Sequence, residues 1–136
     1  MKERKEEGKK RKVLLFVWGT LMRGQPNHER YMQNARFIDE GITEETRFLR
    51  TGFVSVFYFP KTDKVLGRII GEVYEISEDD LKKIDLLEGY PDLYCRSLMK
   101  IRLLNKGETV EAWMYYFPGE RFMEQNIKSK EGGKDV

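Results

Sequence analysis

A chain of 136 residues, 40% apolar and carrying a net charge of +2, has room for one packed core and not for two. No apolar run approaches the roughly 18 residues of a membrane-spanning helix, and the charged N-terminus lacks the apolar stretch of a secretory signal. One cysteine, Cys95, cannot form an intrachain disulfide, and with a single histidine it leaves no Cys/His metal cage; a reduced, cytoplasmic setting is expected.

Residues 1–12, MKERKEEGKKRK, carry seven basic and three acidic side chains, a local +4 that leaves the remainder near −2. Without hydrophobic periodicity they read as a disordered basic arm. Residues 13–122 then form the domain, and residues 123–136 a flexible tail. Dense Lys and Glu beside few Asn, Gln, Cys and His is the composition of a thermophile's protein.

Val13 to Val17 is a short, continuous apolar run and reads as a buried strand. Asn27 is positioned to cap a short helix from His28 to about Asn34. RFIDEGITEETRFLRTG and FVSVFYFP are rich in β-branched and aromatic residues, strand-like but ambiguous in register. KTDK turns, and VLGRIIGEVYEIS returns as a strand in which Gly67 and Gly71 mark a bulge or a close backbone approach. Ser77 with Asp80 three residues on is a variant capping box, and Glu78 and Asp79 suit the positive end of a helix that stops at Gly89. In YCRSLMKIRLL, Cys95, Met99, Ile101 and Leu103 share one face while Arg96, Lys100 and Arg102 share the other. NKGE makes a hairpin loop, and TVEAWMYYF is the last strand. The pattern predicts an α+β fold: a small, mixed, mainly antiparallel β-barrel with two principal helices.

The candidate chemistry begins at VWGTLMRGQPNH, Val17 to His28. Gly19 to Gly24 spells the first half of a phosphate-binding loop, but Gln25 and Pro26 stand where Lys and Ser or Thr would hold phosphate and magnesium. A nucleotide triphosphatase is therefore not expected. A glycine at 19 still lets the backbone turn sharply, so that the amides of Gly19, Thr20 and Leu21 can share one concavity suited to a carboxylate, walled by Met22 and Arg23. The plainer alternative is a strand-ending turn with no ligand.

Glu88 is the second candidate. At about 100° per residue it falls between Leu81 and Ile84 on the apolar face of its helix. It also stands in the last turn, where the helix dipole disfavours negative charge; burial and dipole both raise a carboxyl pKa toward the range of a general base. The alternative is that the helix frays and leaves Glu88 solvated. Asp85 competes for the same role. Tyr94, Tyr115 and Tyr116 offer further polar handles, and Tyr115 and Tyr116 must face opposite sides of their strand. His28, at a helix start, reads as a surface residue more readily than as a ligand contact.

In combination, FVWGTLMRGQPNH, GEVYEIS, LKKIDLLEGYPDLYCR and EAWMYY resemble the γ-glutamylcyclotransferase-like (AIG2-like) family over residues 13–117. The loop is most similar to the γ-glutamylamine cyclotransferase branch. The resemblance implies one pocket in a small mixed barrel. It implies that Trp18, Gly19, Thr20 and Leu21 hold a substrate α-carboxylate through backbone amides, and that Glu88 is the acid/base residue. Tyr115 is the inward tyrosine expected to contact the substrate. The implied reaction converts an L-γ-glutamyl amide or peptide to 5-oxoproline and free amine, with no cofactor and no metal. Trp18 departs from the tyrosine usual at that position, which bears on pocket width and substrate choice.

Two other readings compete. One is a non-catalytic protein binding a small carboxylate on the same fold. The other is an RNA-binding module, since GFVSVFYF is superficially similar to the aromatic strand of an RNA-recognition motif. Val54 stands where that motif needs a small residue and nearby charges are sparse, so a nucleic-acid partner is not expected. Nor is a membrane partner. The expected partner is a small-molecule γ-glutamyl substrate.

Overall fold

The computed structural model describes residues 11–124; the first ten residues of the basic arm and the tail from 125 onward lie outside the described residues. The apolar run at the start becomes strand β1 (Lys12–Val17), whose Leu15, Phe16 and Val17 are buried. Then come a single-turn helix α1 (His28–Tyr31), β2 (Arg36–Thr43), β3 (Phe48–Gly52), β4 (Ser55–Tyr58) and β5 (Ile70–Ser77). Helix α2 (Glu78–Glu88), β6 (Cys95–Leu103) and β7 (Thr109–Pro118) follow, and a further helical turn starts at 119.

Five strands close on themselves. β1 pairs with β5, β5 with β2, β2 with β6 and β6 with β7, all antiparallel. The seam is a parallel pairing of β1 with β7, Leu15 opposite Trp113 and Phe16 opposite Met114. This is the mixed, mainly antiparallel barrel the pattern predicts. The β3–β4 hairpin is added at the far end of β7, where β4 runs parallel to it through Phe57–Phe117 and Tyr58–Pro118.

Phe16, Val73, Ile76, Ile84, Ile101, Leu103 and Met114 are among the fully buried side chains of the core, each stabilising the fold by about 1.5–3 kcal/mol. Gly71 has a specific reason to be glycine. A Cβ there would lie 2.1 Å from the Val17 carbonyl oxygen, so any side chain would push β1 off β5 at the point where the loop leaves the barrel. On β6 the expected alternation holds for Met99, Ile101 and Leu103, buried, against Lys100 and Arg102, exposed.

Helix α2 has the ends its sequence predicts. Ser77 Oγ accepts from the Asp80 amide at 3.0 Å, and Gly89 adopts φ 68° while its N–H donates to the Asp85 and Leu86 carbonyls. Leu81 and Ile84 are buried.

Three local expectations need correction. The run from 36 to 52 is two strands, because the chain turns at Glu45 and Arg47, which pair with each other at the barrel's end. β5 begins only at Ile70; Gly67 makes an isolated bridge to Arg47 instead. Helix α1 stops at Tyr31 rather than Asn34, since the next residue, Met32, turns into the core. Its Asn27 makes no side-chain cap, its backbone being already helical at φ −95° and ψ −2° rather than extended as a capping residue's is.

Candidate active site

The segment from Trp18 to Leu21 leaves the barrel beside the β1–β7 seam. All four of its carbonyl groups are taken by donors from elsewhere. Arg50 Nη2 donates to the Trp18 carbonyl at 2.8 Å, the Met22 amide to Gly19 at 3.1 Å and the Asn27 amide to Thr20 at 3.0 Å. His28 Nδ1 lies 2.8 Å from the Leu21 carbonyl; since a carbonyl only accepts, the proton sits on Nδ1. Asn27 Nδ2 also donates to the Thr20 hydroxyl at 2.9 Å. Among the described residues, no group accepts from the amides of Gly19, Thr20 or Leu21. Carbonyls tied back and amides left over make a fixed, electropositive concavity for an anion.

A cleft of about 350 Å³, its open mouth included, is lined by Trp18, Gly19, Thr20 and Leu21 together with Glu88, Tyr94 and Tyr115. Loop and carboxylate, 70 residues apart in sequence, thus face one space. Burial raises the Glu88 carboxyl to about 7, and among the described residues no charge or hydrogen bond offsets it. At neutral pH such a group both takes and returns a proton readily. Helix α2 does not fray before it.

Asp85 is otherwise engaged. Arg96 donates to both its oxygens, Nε to Oδ1 at 2.8 Å and Nη2 to Oδ2 at 3.0 Å, each side chain being only 15% exposed. The Tyr115 hydroxyl donates to Asp85 Oδ1 at 2.5 Å. Tyr115 is buried, and that burial, the bond to Asp85 and nearby negative charge hold its hydroxyl protonated far above the usual tyrosine range. Its proton is committed, so its oxygen faces other groups as an acceptor. Arg96 is itself sandwiched, 4.5 Å above the Tyr90 ring and 4.4 Å above that of Trp113. The strand alternation grouped Arg96 with Lys100 and Arg102; the family resemblance set it apart as the arginine that ends YPDLYCR, but its role as the clamp on Asp85 was missed.

Trp18 points inward. Its indole N–H donates to the Tyr115 carbonyl at 2.8 Å, and its ring meets Tyr94 edge-on at 6.2 Å. Tyr94 in turn stacks on Phe117 at 4.1 Å. Its hydroxyl, raised to about 12 by burial and the charge of Glu88, donates to the Val54 carbonyl. Tyr116 faces the opposite side, bonded to Ser97 at 2.7 Å.

Met22 and Arg23 do not wall the cleft. Arg23 turns to Glu72, its amide donating to Oε1 at 2.9 Å and its Nε to Oε2 at 3.0 Å. Burial alone would raise the Glu72 carboxyl, but these bonds and one from Tyr74 outweigh it and leave the carboxyl below its ordinary range. His28 serves the loop as a tether. Two contributors were not singled out for the site: Arg50, which holds the loop's first carbonyl, and Val54, which lines the cleft from the β3–β4 turn.

The chain has relatives of known family. Residues 15–133 match the family model described as gamma-glutamyl cyclotransferase, AIG2-like. A Methanocaldococcus jannaschii protein named "Putative gamma-glutamylcyclotransferase MJ1514" is 40% identical over 76% of this chain and 83% of its own. The gamma-glutamylaminecyclotransferase of Rattus norvegicus is 30% identical over 74% of this chain and 75% of its own length. The crystal structure of an AIG2-like protein from Mus musculus superposes with a TM-score of 0.66 at 30% identity, covering 77% of this chain and 76% of that one.

Proposed function

The chain belongs to the gamma-glutamyl cyclotransferase, AIG2-like, family, and from that premise we propose that it converts a small L-γ-glutamyl amide or peptide to 5-oxoproline and free amine, with Glu88 as the acid/base group. One observation carries the reading: three amides that no described residue claims, on a loop whose carbonyls are all tied back, across a cleft from a carboxyl raised to about 7.

Gly19, Thr20 and Leu21 receive the substrate's α-carboxylate through their N–H groups. The Tyr115 oxygen, its own proton given to Asp85, accepts from the α-amine and orients it. The α-amine attacks the γ-carbonyl carbon as neutral NH2, and Glu88 takes one of its two protons as the nitrogen bonds. The new C–N bond closes a five-membered ring. Glu88 returns the proton to the departing nitrogen as the old C–N bond breaks, so atoms balance without water. Holding the γ-glutamyl chain folded supplies much of the acceleration, since a correctly oriented intramolecular attack carries an effective molarity of about 10⁵ M or more.

The test is release of 5-oxoproline, followed by mass spectrometry over a panel of γ-glutamyl amides and peptides, with Glu88→Gln alongside. Product from the wild type, reduced at least about a hundredfold in the variant, is the expected result. Full product from the variant removes Glu88 from the role. No product from folded wild-type protein leaves a carboxylate-binding protein.

A further inference from the structure

A substrate that enters this cleft brings a negative α-carboxylate, yet no cation stands in the lining to meet it. Among the described residues there, the one carboxyl is Glu88 and none is Lys, Arg or His. Arg23, next to the amide loop, is neutralised by Glu72, and Arg96, behind Tyr115, by Asp85. Arg50, on β3, differs from both. Among the described residues it is bonded to no carboxylate, and its partners are three backbone carbonyls.

Two of those bonds are local. Nε donates to the Gly52 carbonyl at 3.2 Å and Nη2 to that of Phe53 at 2.9 Å, and together they fix where the guanidinium stands. The third crosses the fold: Nη2 also donates to the Trp18 carbonyl at 2.8 Å, with the guanidinium 5.5 Å from the Trp18 ring. That carbonyl shares a planar, trans peptide unit with the Gly19 N–H, so the two groups point in opposite directions. A donor on the oxygen polarises the unit and strengthens its N–H as a donor on the far side. The units that carry the Thr20 and Leu21 N–H groups are braced by the amides of Met22 and Asn27, which bear no charge. Of the three, only the Gly19 unit is braced by a full positive charge.

We propose that Arg50 is the cation for the substrate's α-carboxylate, acting through the Trp18–Gly19 peptide unit rather than by contact. The inference rests on the carboxylate-binding half of the reading above. Arg50 does not line the cleft, so it is a positioning residue: it holds the Gly19 N–H in direction and lends it charge. Its side chain is open to water, which screens the charge, so the effect is that of one charge-assisted hydrogen bond, about tenfold in affinity. The α-carboxylate keeps its charge from bound substrate to product. Arg50 therefore holds ground state and transition state alike, and its loss falls on KM and not on kcat.

The test uses L-γ-glutamylmethylamide. Its Kd is measured by calorimetry on Glu88→Gln, alone and combined with Arg50→Gln or Arg50→Lys, and its kcat and KM on the single Arg50 variants, with thermal melts to show that each is folded. Arg50→Gln is expected to raise Kd and KM by about tenfold while kcat stays within about threefold. Arg50→Lys keeps the charge without the forked geometry, and its Kd is expected within about threefold of the Arg50 protein. Added salt should weaken binding where Arg50 is present and do so less in Arg50→Gln. An Arg50→Lys loss equal to that of Arg50→Gln overturns the proposal, since Arg50 would then be a geometric clamp on the hairpin. An unchanged Kd in Arg50→Gln overturns it too, as does binding to the Arg50 protein that salt does not move. The expected order of Kd values without any 5-oxoproline from the wild type overturns the cyclotransferase reading and leaves the role of Arg50 standing; no binding to folded Glu88→Gln overturns both.

Discussion

Tyr115 and Tyr116 are neighbours on β7 and open onto two different clefts. The Tyr115 cleft, about 350 Å³, holds the amide loop and Glu88. The Tyr116 cleft is larger, about 730 Å³, and is lined by Tyr58, Phe59, Cys95 and Pro118 among others. By size and hydrocarbon content the second is the better ligand pocket. The hydroxyl of its Tyr116 is satisfied by Ser97. In the first, smaller cleft, Glu88 and three amides have no hydrogen-bond partner among the described residues. A reactive site is marked by the groups that folding leaves unsatisfied, not by the space around them.

The largest expected effect separates the two clefts directly. Glu88→Gln keeps shape and removes the base, so 5-oxoproline release is expected to fall by about 10²–10⁴, while Tyr116→Phe leaves turnover within about twofold. Comparable losses from both substitutions would erase the distinction. The wild-type rate should also rise with pH through about 7, as Glu88 ionises, with that limb absent in the variant.

Next in size is the effect of Glu88 on stability. Its folded-state value near 7 stands above the ordinary 4.5, so both folded and unfolded chains are protonated below the lower value and no penalty exists there. As pH rises through the folded value the penalty becomes complete, about 3 kcal/mol. Glu88→Gln is therefore expected to be more stable than wild type at pH 8 by up to about 3 kcal/mol and to show no gain at pH 4. Thermal melts across that range check it; a variant less stable at pH 8 would mean the carboxylate is well solvated.

What the sequence made legible in this site was local. The ends of α2 follow from Ser77, Asp80 and Gly89, each acting within four residues. Glu88 on an apolar face and the glycine at the exit of β1 are signals a single element carries. The strand patterning was also enough for a curled, mainly antiparallel sheet, because burial on one face dictates alternation wherever the strand lies. What stayed hidden depends on closure. Arg23 looked free to wall the cleft because its partner, Glu72, is 49 residues away. Arg96 finds Asp85 only when β6 is laid beside α2, and Arg50 reaches Trp18 only because β4 joins the end of β7. The helix wheel placed Asp85 near Glu88 but had no means to show that two donors already held it.

That difference between the two acids yields a smaller effect. Asp85→Asn keeps one oxygen for Tyr115 but leaves Arg96 facing an amide in a largely covered site. The cost is expected to be about 2 kcal/mol of stability or more, since the remaining guanidinium loses a charged partner. Activity should fall through Tyr115, whose hydroxyl loses its charged acceptor, with KM rising more than kcat falls because orientation of the α-amine is what suffers. A loss in kcat matching that of Glu88→Gln would instead make Asp85 a participant in proton transfer.

The smallest expected effect belongs to the other cleft. Tyr116→Phe deletes the bond to Ser97 but leaves the ring, which meets Tyr58 edge-on at 5.2 Å. Ser97 is only partly buried, and water can replace the lost partner. The net loss should therefore be about 1 kcal/mol or less, seen as a modest fall in the denaturant midpoint at unchanged slope. A larger loss would mean that the Ser97–Tyr116 bond braces the β6–β7 pairing which also carries Arg96 and Tyr115 on its other residues. The two clefts would then be coupled through one strand pair, and double substitution with Asp85→Asn would measure that coupling as a departure from additivity.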